Sequence, residues 1–79
     1  MKYQYYITCQ PPGYDERYYF SALMYSKPEN ALSAGVTRAM NNAVKYPGYI
    51  DEYVKKIEVL DSHGICVLRV GIDYLVNNL

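Results

Sequence analysis

A strict alternation at the start of the chain restricts the fold to one built on a β-sheet. Within residues 2–10, apolar or aromatic side chains recur at every second position, and mostly polar residues lie between them. The recurring residues are Tyr3, Tyr5, Ile7 and Cys9. Because side chains of a strand alternate between its two faces, this spacing predicts a strand with one buried face.

A second strand is predicted after a loop that contains the motif PPG. Two residues without N–H groups and a glycine favour a loop over a continuing strand. Residues 17–25 then alternate again. We predict the register that pairs Cys9 with Tyr18, because it gives the hairpin one apolar face. In this register Tyr18, Phe20, Ala22 and Met24 face the core, and the outer face carries Tyr19, Ser21, Leu23 and Tyr25.

One helix is predicted after this hairpin. Ser26 and Glu29 have the spacing of a capping box, and Pro28 is tolerated in a first helical turn. From there to about Lys45, apolar residues recur at three- and four-residue steps. The resulting stripe consists of Leu32, Val36, Ala39, Met40 and Ala43. The small side chain of Gly35 would let the helix lie close to the sheet.

A second hairpin is predicted from residues 52–60 and 65–70, with Ile57 and Val59 on one face of its first strand. The turn between them begins with Asp61 and ends with glycine, as tight turns prefer. The last strand is apolar on both faces, which is typical of a central strand covered twice. The terminal GIDYLVNNL could add a fifth strand or a helical turn, and the sequence leaves this open.

The order strand, strand, helix, strand, strand predicts the architecture. Residues 1–79 are expected to form a single two-layer α+β domain. Its antiparallel sheet has four strands, or five if the terminal residues join it. One helix packs on one face of this sheet, and the other face is left uncovered.

No residue pattern in the chain indicates catalysis. His63 is the only histidine and lies in a tight turn, where it offers no ligand cluster for a metal ion. The acidic pairs at residues 15–16 and 51–52 are adjacent in sequence, so their carboxylates tend to diverge. We therefore expect a protein that is not an enzyme and that uses no cofactor and no metal.

Charge and hydropathy argue against nucleic acids and membranes as partners. Eight basic side chains balance eight acidic ones. A duplex DNA binder usually has a basic excess, because neutralising phosphates supplies much of its affinity. Direct nucleic-acid binding is therefore not expected, although RNA-recognition sheets also carry exposed aromatic rings. No apolar run is long enough to span a membrane and no signal-peptide core is evident, so a cytoplasmic protein is expected. Cys9 and Cys66 are expected to be buried thiols.

The eleven tyrosines are the strongest functional signal in the sequence. The predicted register leaves several of them on the uncovered face of the sheet. Tyrosine and arginine are enriched at the energetically important positions of protein interfaces. The candidate partner-binding residues are Tyr6, Arg17, Tyr19 and Tyr25 on the sheet, Tyr14, Asp15 and Glu16 in the loop, and Arg38, Asn41 and Lys45 on the helix.

Two segments, SKPENALSAGVTRAMNNAV and YVKKIEVLDSHGICVLRV, give the chain a family resemblance. The first resembles the single small-residue-rich helix of small phage-encoded anti-CRISPR proteins that act on type I systems. The second resembles the apolar hairpin that follows this helix. The resemblance spans nearly the full chain. It implies a non-enzymatic inhibitor, acting in the cytoplasm of the host cell, that binds an RNA-guided surveillance complex and blocks its binding to target DNA.

An antitoxin-like or structural dimerisation module is the alternative. Antitoxins of the HicB type also begin with a tyrosine-rich hairpin followed by a capped helix, although they usually carry a DNA-binding extension that this sequence lacks. Self-association would cover the second apolar face of the fourth strand. A homodimer is therefore open under both interpretations.

Overall fold

Four strands and one helix follow one another in the predicted order. The structure is a computed structural model and describes residues 1–10, 12–45, 54–71 and 73–74. Its elements are β1 (Tyr3–Cys9), β2 (Arg17–Phe20), α1 (Pro28–Lys45), β3 (Val54–Asp61) and β4 (Cys66–Gly71). Neighbouring strands are antiparallel and lie in the order β2-β1-β3-β4. Helix α1 packs against the strands, so the predicted α+β fold with an antiparallel sheet is confirmed.

Strands β1 and β3 form the centre of the sheet and carry its core. Ile7 of β1 lies between Tyr19 of β2 and Ile57 of β3. The buried side chains of these two strands on the helix-covered face include Tyr5, Ile7, Cys9, Ile57 and Val59. The alternation predicted for both strands is therefore confirmed.

Helix α1 covers this core with the stripe predicted from its sequence. Ala39 is buried, and Leu32, Val36 and Met40 pack against the core while partly buried. The side chain of Ala43, the remaining member of the stripe, lies outside the described part of the structure. The three- and four-residue spacing thus identified the helix face that meets the sheet.

Gly35 lies where the helix and the sheet come very close together. A Cβ atom added there would lie 3.1 Å from Cγ2 of Ile57 and 3.1 Å from Cβ and Cγ of Tyr5. These distances are shorter than ordinary contacts between carbon atoms, which are about 3.5–4.0 Å. Gly35 therefore permits a helix–sheet distance that a larger residue would not, as the sequence predicts.

The helix begins one residue later than a capping box requires. The carbonyl oxygen of Lys27 accepts a hydrogen bond of 3.3 Å from the N–H of Ala31. Pro28 is then the first helical residue, a position where a missing N–H costs nothing. Within the described contacts, no hydrogen bond joins Ser26 to Glu29, so the predicted capping box is wrong.

The register of the first hairpin differs from the prediction by one residue. Arg17, not Tyr18, lies opposite Cys9. Because successive side chains point to opposite faces, a shift of one residue exchanges the two faces of the strand. Tyr19 therefore lies on the helix-covered side of the sheet, and Tyr18 and Phe20 lie on the open face. The predicted assignment of these three rings was wrong.

Strand β2 is shorter than predicted because the chain bends out of the sheet beyond it. Ser21 is buried, its N–H donates to the carbonyl of Tyr5 (3.1 Å), and its Oγ accepts from the N–H of Tyr5 (3.3 Å). Residues 22–23 form a bend, and Tyr25 then pairs with Tyr3 through two backbone hydrogen bonds of 2.8 Å. Tyr25 packs against the core beneath α1, so its predicted place on the open face was also wrong.

Strand β4 lies at an edge of the sheet and not at its centre. Of the strands that the structure describes, it pairs only with β3, and although Val70 packs against the core, Cys66 and Val67 are exposed. The prediction of buried cysteines is therefore confirmed for Cys9 and wrong for Cys66. The apolar character of both faces of β4 had indicated a strand covered twice, but α1 covers only one face of the sheet.

The turn between β3 and β4 is held by Asp61, as predicted. Its Oδ1 atom accepts hydrogen bonds from the N–H groups of Ile65 (3.0 Å) and His63 (2.8 Å). These bonds, the one from Ile65 first, hold the pKa of the Asp61 carboxyl below its ordinary value of 3.8. Gly64 has a φ of 79°, a left-handed conformation that glycine adopts without strain.

Two further predictions concern residues outside the described part of the chain. The acidic pair at residues 51–52 lies wholly there, together with the first two residues of the predicted third strand. Of the terminal nine residues, Gly71 ends β4, and Asp73 and Tyr74 have a helical backbone. The others, residues 72 and 75–79, lie outside the description.

Replacing Gly35 with alanine tests the close approach of α1 to the sheet. Overpacking a core costs about 1–3 kcal/mol, and alanine gains about 1 kcal/mol over glycine in helix propensity. Because Tyr5 and Ile57 belong to the two central strands, we expect Gly35→Ala to lower the free energy of unfolding by about 1 kcal/mol, measured by urea denaturation.

The matched control is Ser33→Ala, an exposed position on the same helix. Alanine at this position raises the helix propensity and does not contact the sheet. The free energy of unfolding of the variant should therefore rise by a few tenths of a kcal/mol. If Gly35→Ala stabilises the protein as much as Ser33→Ala does, the helix does not depend on glycine for its position.

Candidate partner-binding site

Strand β2 presents aromatic rings on both faces of the sheet at its edge. Among the described strands it pairs only with β1, and no other described strand lies on its second side. All four of its residues are exposed, with 58% of the surface of Tyr18 and 56% of that of Phe20 accessible to solvent. We call the group formed by Tyr6, Arg17, Tyr18, Tyr19 and Phe20 the aromatic edge.

On the open face, the aromatic edge consists of rings held by their neighbours. Phe20 stacks on Tyr6 across the strand pair, with ring centroids 5.5 Å apart and an angle of 26° between the planes. The Tyr18 hydroxyl donates a hydrogen bond of 3.0 Å to Oε2 of Glu16. This bond and the negative charge of Glu16 raise the pKa of Tyr18, so the phenol stays neutral at physiological pH.

On the helix-covered side, Arg38 connects α1 to the aromatic edge. Its guanidinium carbon lies 5.6 Å from the centroid of the Tyr19 ring, within the range of a cation–π contact. Its Nη1 atom donates to the hydroxyl of Tyr5 (3.3 Å) and, at a longer distance of 3.5 Å, to the carbonyl of Phe20. These contacts fix the orientation of Tyr19 at the border of the core.

The loop before β2 adds a second cation–π contact and two acidic residues. The guanidinium carbon of Arg17 lies 5.6 Å from the centroid of the Tyr14 ring. Tyr14, Asp15 and Glu16 are exposed. Gly13 turns this loop with a φ of 82°. Positive, negative and aromatic groups therefore surround the outer end of β2.

The structure brings six of the ten candidate residues into contact at the aromatic edge, and the other four lie outside these contacts. Tyr6, Tyr14, Glu16, Arg17, Tyr19 and Arg38 belong to the aromatic edge or contact one of its members. Asp15 is exposed in the loop beside them. Tyr25 and Asn41 line a groove on the helix side. Lys45 is exposed in the last turn of α1 and forms no described hydrogen bond or ion pair with any of the others.

Tyr18 and Phe20, the two most exposed rings of β2, were predicted to face the core. This prediction failed because a register one residue away also gives an apolar face. The segment RYYF has aromatic side chains on both faces, so its pattern carries no signal for the register. The length of the loop between the strands sets the register instead, and the sequence does not reveal the conformation of that loop.

A groove lies between α1 and the bend that follows β2. It has a volume of about 550 Å³ and opens widely to solvent. The Tyr5 ring forms part of its wall, and the helix contributes Thr37, Arg38 and Asn41 at helical spacing. Leu23 from the bend, 69% exposed, lines the opposite side. Polar helix residues and an apolar loop residue thus face the same space.

The middle of the open face contains a buried hydroxyl and an ion pair. Thr8 is only 1% exposed although no helix covers it, because it is flanked by Tyr18 on β2 and Lys56 on β3. Its Oγ1 atom has no hydrogen-bond partner. Lys56 pairs with Glu58 at 3.5 Å. This face therefore combines aromatic rings at one end with paired charges at its centre.

The described residues offer no centre for metal chemistry. No group of three histidine, cysteine, aspartate or glutamate side chains among them is placed to hold a metal ion. Within the same residues, no helix has both the length and the apolar character required to cross a bilayer.

Comparisons with known proteins gave no relative. No protein-family model matches the chain, and neither a curated protein nor a solved structure matches it at a significant level. The geometry of the aromatic edge and of the groove must therefore be interpreted from their own residues.

Thr8 provides a test of how the open face is packed. A buried hydroxyl without a partner costs free energy, and an apolar group of the same shape does not. We expect Thr8→Val to raise the free energy of unfolding by about 1 kcal/mol, measured by urea denaturation. Thr37→Val, an exposed helix position, is the control and should change it by no more than about 0.5 kcal/mol. Equal effects of the two substitutions would contradict the burial of Thr8.

Proposed function

We propose that the protein is a non-enzymatic inhibitor that binds another macromolecule through its aromatic edge. The observation that supports this proposal is the exposure of all four residues of β2, a strand with three consecutive aromatic residues and no second neighbour among the described strands. Tyrosine, tryptophan and arginine account for most of the strongly contributing residues in protein interfaces. Exposed rings in such a number at one edge form a surface that a partner would cover.

The rings of the aromatic edge are already held in place before binding. Phe20 is stacked on Tyr6, Tyr18 is hydrogen-bonded to Glu16, and Tyr19 lies against Arg38. Immobilising a side chain on binding costs about 0.5–1.5 kcal/mol, and this cost is smaller for side chains that are already ordered. The arrangement therefore allows tight binding even where the interface buries only a modest area.

Strand addition is the binding mode that best fits an open edge. A partner strand beside β2 would use the unpaired backbone groups of β2 for hydrogen bonds. Tyr18 and Phe20 would contact the partner on one face of the extended sheet, and Tyr19 on the other. Asp15 and Arg17 would lie at the polar rim, where charges govern orientation and association rate.

The partner that we propose is the RNA-guided surveillance complex of a type I CRISPR system, bound in the cytoplasm of the host cell. The resemblance of the helix and the second hairpin to anti-CRISPR proteins supports this assignment. The zero net charge favours a protein surface of the complex over a phosphate backbone. Occupation of that surface would block binding of the target DNA.

The double variant Tyr18→Ala/Phe20→Ala tests the role of the aromatic edge. We expect its affinity for an immobilised type I surveillance complex to fall at least tenfold, because each aromatic anchor in an interface contributes about 2 kcal/mol or more. The unfolding midpoint should change little, since both rings are more than half exposed. Wild-type protein should also prevent the complex from binding labelled target DNA.

The control is Val44→Ala, an apolar residue on α1 that is 85% exposed and does not belong to the aromatic edge. It should bind as wild type does. Unchanged affinity of the double variant would contradict the site, and failure of the wild-type protein to bind the complex would contradict the partner. If the protein binds single-stranded RNA alone as tightly as it binds the complex, the proposal that it binds a protein surface is contradicted.

A structural dimerisation module is the second candidate, and strand β4 is the observation that favours it. This edge strand also has no second neighbour among the described strands, and Val67 is 42% exposed beside the exposed Ile65. A long apolar edge is prone to pair with another strand. Two copies of β4 paired antiparallel about a twofold axis would join the sheets of two subunits.

Sedimentation velocity at micromolar concentration tests this second candidate. A dimer that pairs through β4 should dissociate into monomers in the variant Val67→Lys, because a charge at this edge opposes pairing. Val44→Lys introduces the same charge on an exposed helix position and should leave the dimer intact. A monomeric wild-type protein, or a dimer that both variants preserve, would contradict dimerisation through β4.

A further inference from the structure

The groove between α1 and the bend after β2 contains a cation, Arg38, that forms no ion pair within the described part of the chain. Arg38 is half-buried, and no carboxylate among the described residues pairs with it. Its described acceptors, the Tyr5 hydroxyl and the Phe20 carbonyl, are both neutral. Among the described residues that line the groove, Arg38 is the only charged one. No described residue of the groove therefore compensates the positive charge of Arg38.

The guanidinium of Arg38 is held in place by its contacts, but only one of its nitrogen atoms donates a described hydrogen bond. Both of its described hydrogen bonds come from Nη1, and its guanidinium carbon lies over the Tyr19 ring. The donors on Nη2 and Nε have no described protein acceptor. A guanidinium presents its donors in a rigid fork that matches the two oxygens of a carboxylate. An anchored arginine of this kind loses little freedom when a ligand binds.

From these observations we propose that the groove binds the C-terminus of a polypeptide. The last residue of this polypeptide has an apolar side chain next to its carboxylate. Arg38 binds the carboxylate. Thr37 and Asn41, which line the groove beside it, supply groups that hydrogen-bond a peptide unit. Leu23 and Tyr25 supply the apolar contacts. This site shares the contact between Arg38 and Tyr19 with the aromatic edge, but it does not depend on the function proposed for that edge.

The composition of the groove argues for a carboxylate over a phosphate group. A phosphate monoester carries nearly two negative charges at neutral pH, and its sites usually combine several cationic or N–H donors. The groove supplies one guanidinium. Its volume of about 550 Å³ lies within the range of small-ligand sites, about 300–1,000 Å³, and accommodates one or two residues of a chain end.

N-acetyl-leucine serves as the probe, because it carries one peptide group, one apolar side chain and one carboxylate. In spectra of the ¹⁵N-labelled full chain, we expect saturable shifts confined to Tyr5 and residues 21–25 and 34–42. N-acetyl-leucinamide, which lacks only the charge, should bind at least tenfold more weakly. Hexanoate, a free acid without a peptide group, should also bind more weakly than N-acetyl-leucine.

Two pairs of variants separate the site from effects on folding. Arg38→Gln should weaken binding of N-acetyl-leucine at least tenfold, while Lys45→Gln, the loss of an exposed cation on the same helix, should not change it. Leu23→Asp should weaken binding more than Leu23→Asn does, because both substitutions remove the apolar contact and only Leu23→Asp adds a negative charge to the groove. Leu23 is 69% exposed in a bend, so both of its variants should fold normally.

Three results would overturn the proposal. Equal affinity for the acid and its amide would show that Arg38 does not bind the carboxylate. Equal affinities of Leu23→Asp and Leu23→Asn would place the charge-sensitive site elsewhere. Equal affinity for hexanoate and N-acetyl-leucine would remove the assignment to the end of a polypeptide.

Discussion

The contact of one helix with the two central strands is the constraint on which the rest of the structure depends. An α-helix with its side chains is about 10–12 Å wide, and neighbouring strands lie about 4.8 Å apart, so one helix covers about two strands. Gly35 brings α1 close to Tyr5 and Ile57, over β1 and β3. Strands β2 and β4 are consequently left at the borders of the covered area. The exposure of both edges follows directly from the single helix.

The position of the helix also determines where its polar residues reach. Arg38 follows Gly35 by three residues and therefore lies close to the face that meets the sheet. From there its guanidinium contacts the Tyr5 hydroxyl and the ring of Tyr19. The same turn of α1 forms one wall of the groove. The aromatic edge and the groove are thus held by one helix face, although they open to solvent in different places.

Much of the fold could be predicted from the sequence, because burial differs clearly between the faces of β1 and of α1. The odd positions of β1 and the stripe around Ala39 are apolar while their neighbours are mostly polar, and the structure confirms both. Strand β2 has no such contrast, so its register could not be predicted, and a shift of one residue moved Tyr18 and Phe20 from the predicted core to the open face. The position of β4 was missed for a related reason. An apolar strand can be central, or it can be an edge that a partner covers, and the sequence pattern is the same in both cases.

Prediction of the candidate site also depended on knowing which face of each strand is buried. Arg38 and Arg17 were identified because arginine is common in interfaces, and the structure places both against exposed aromatic rings. Tyr19 and Tyr25 were chosen for the open face and lie instead on the helix side, whereas Tyr6 lies where it was predicted.

The two edges of the sheet differ in a way that favours different partners. Beside β2 lie Asp15, Glu16 and Arg17, and charged residues at an edge oppose pairing between identical copies. Strand β4 has one charged residue, Arg69, and exposes Val67. An edge with charges of both signs and oriented rings is suited to a partner with complementary groups. An edge that is largely apolar is suited to a second copy of the same strand. The aromatic edge is therefore the better surface for a specific inhibitor, and β4 is the better surface for self-association.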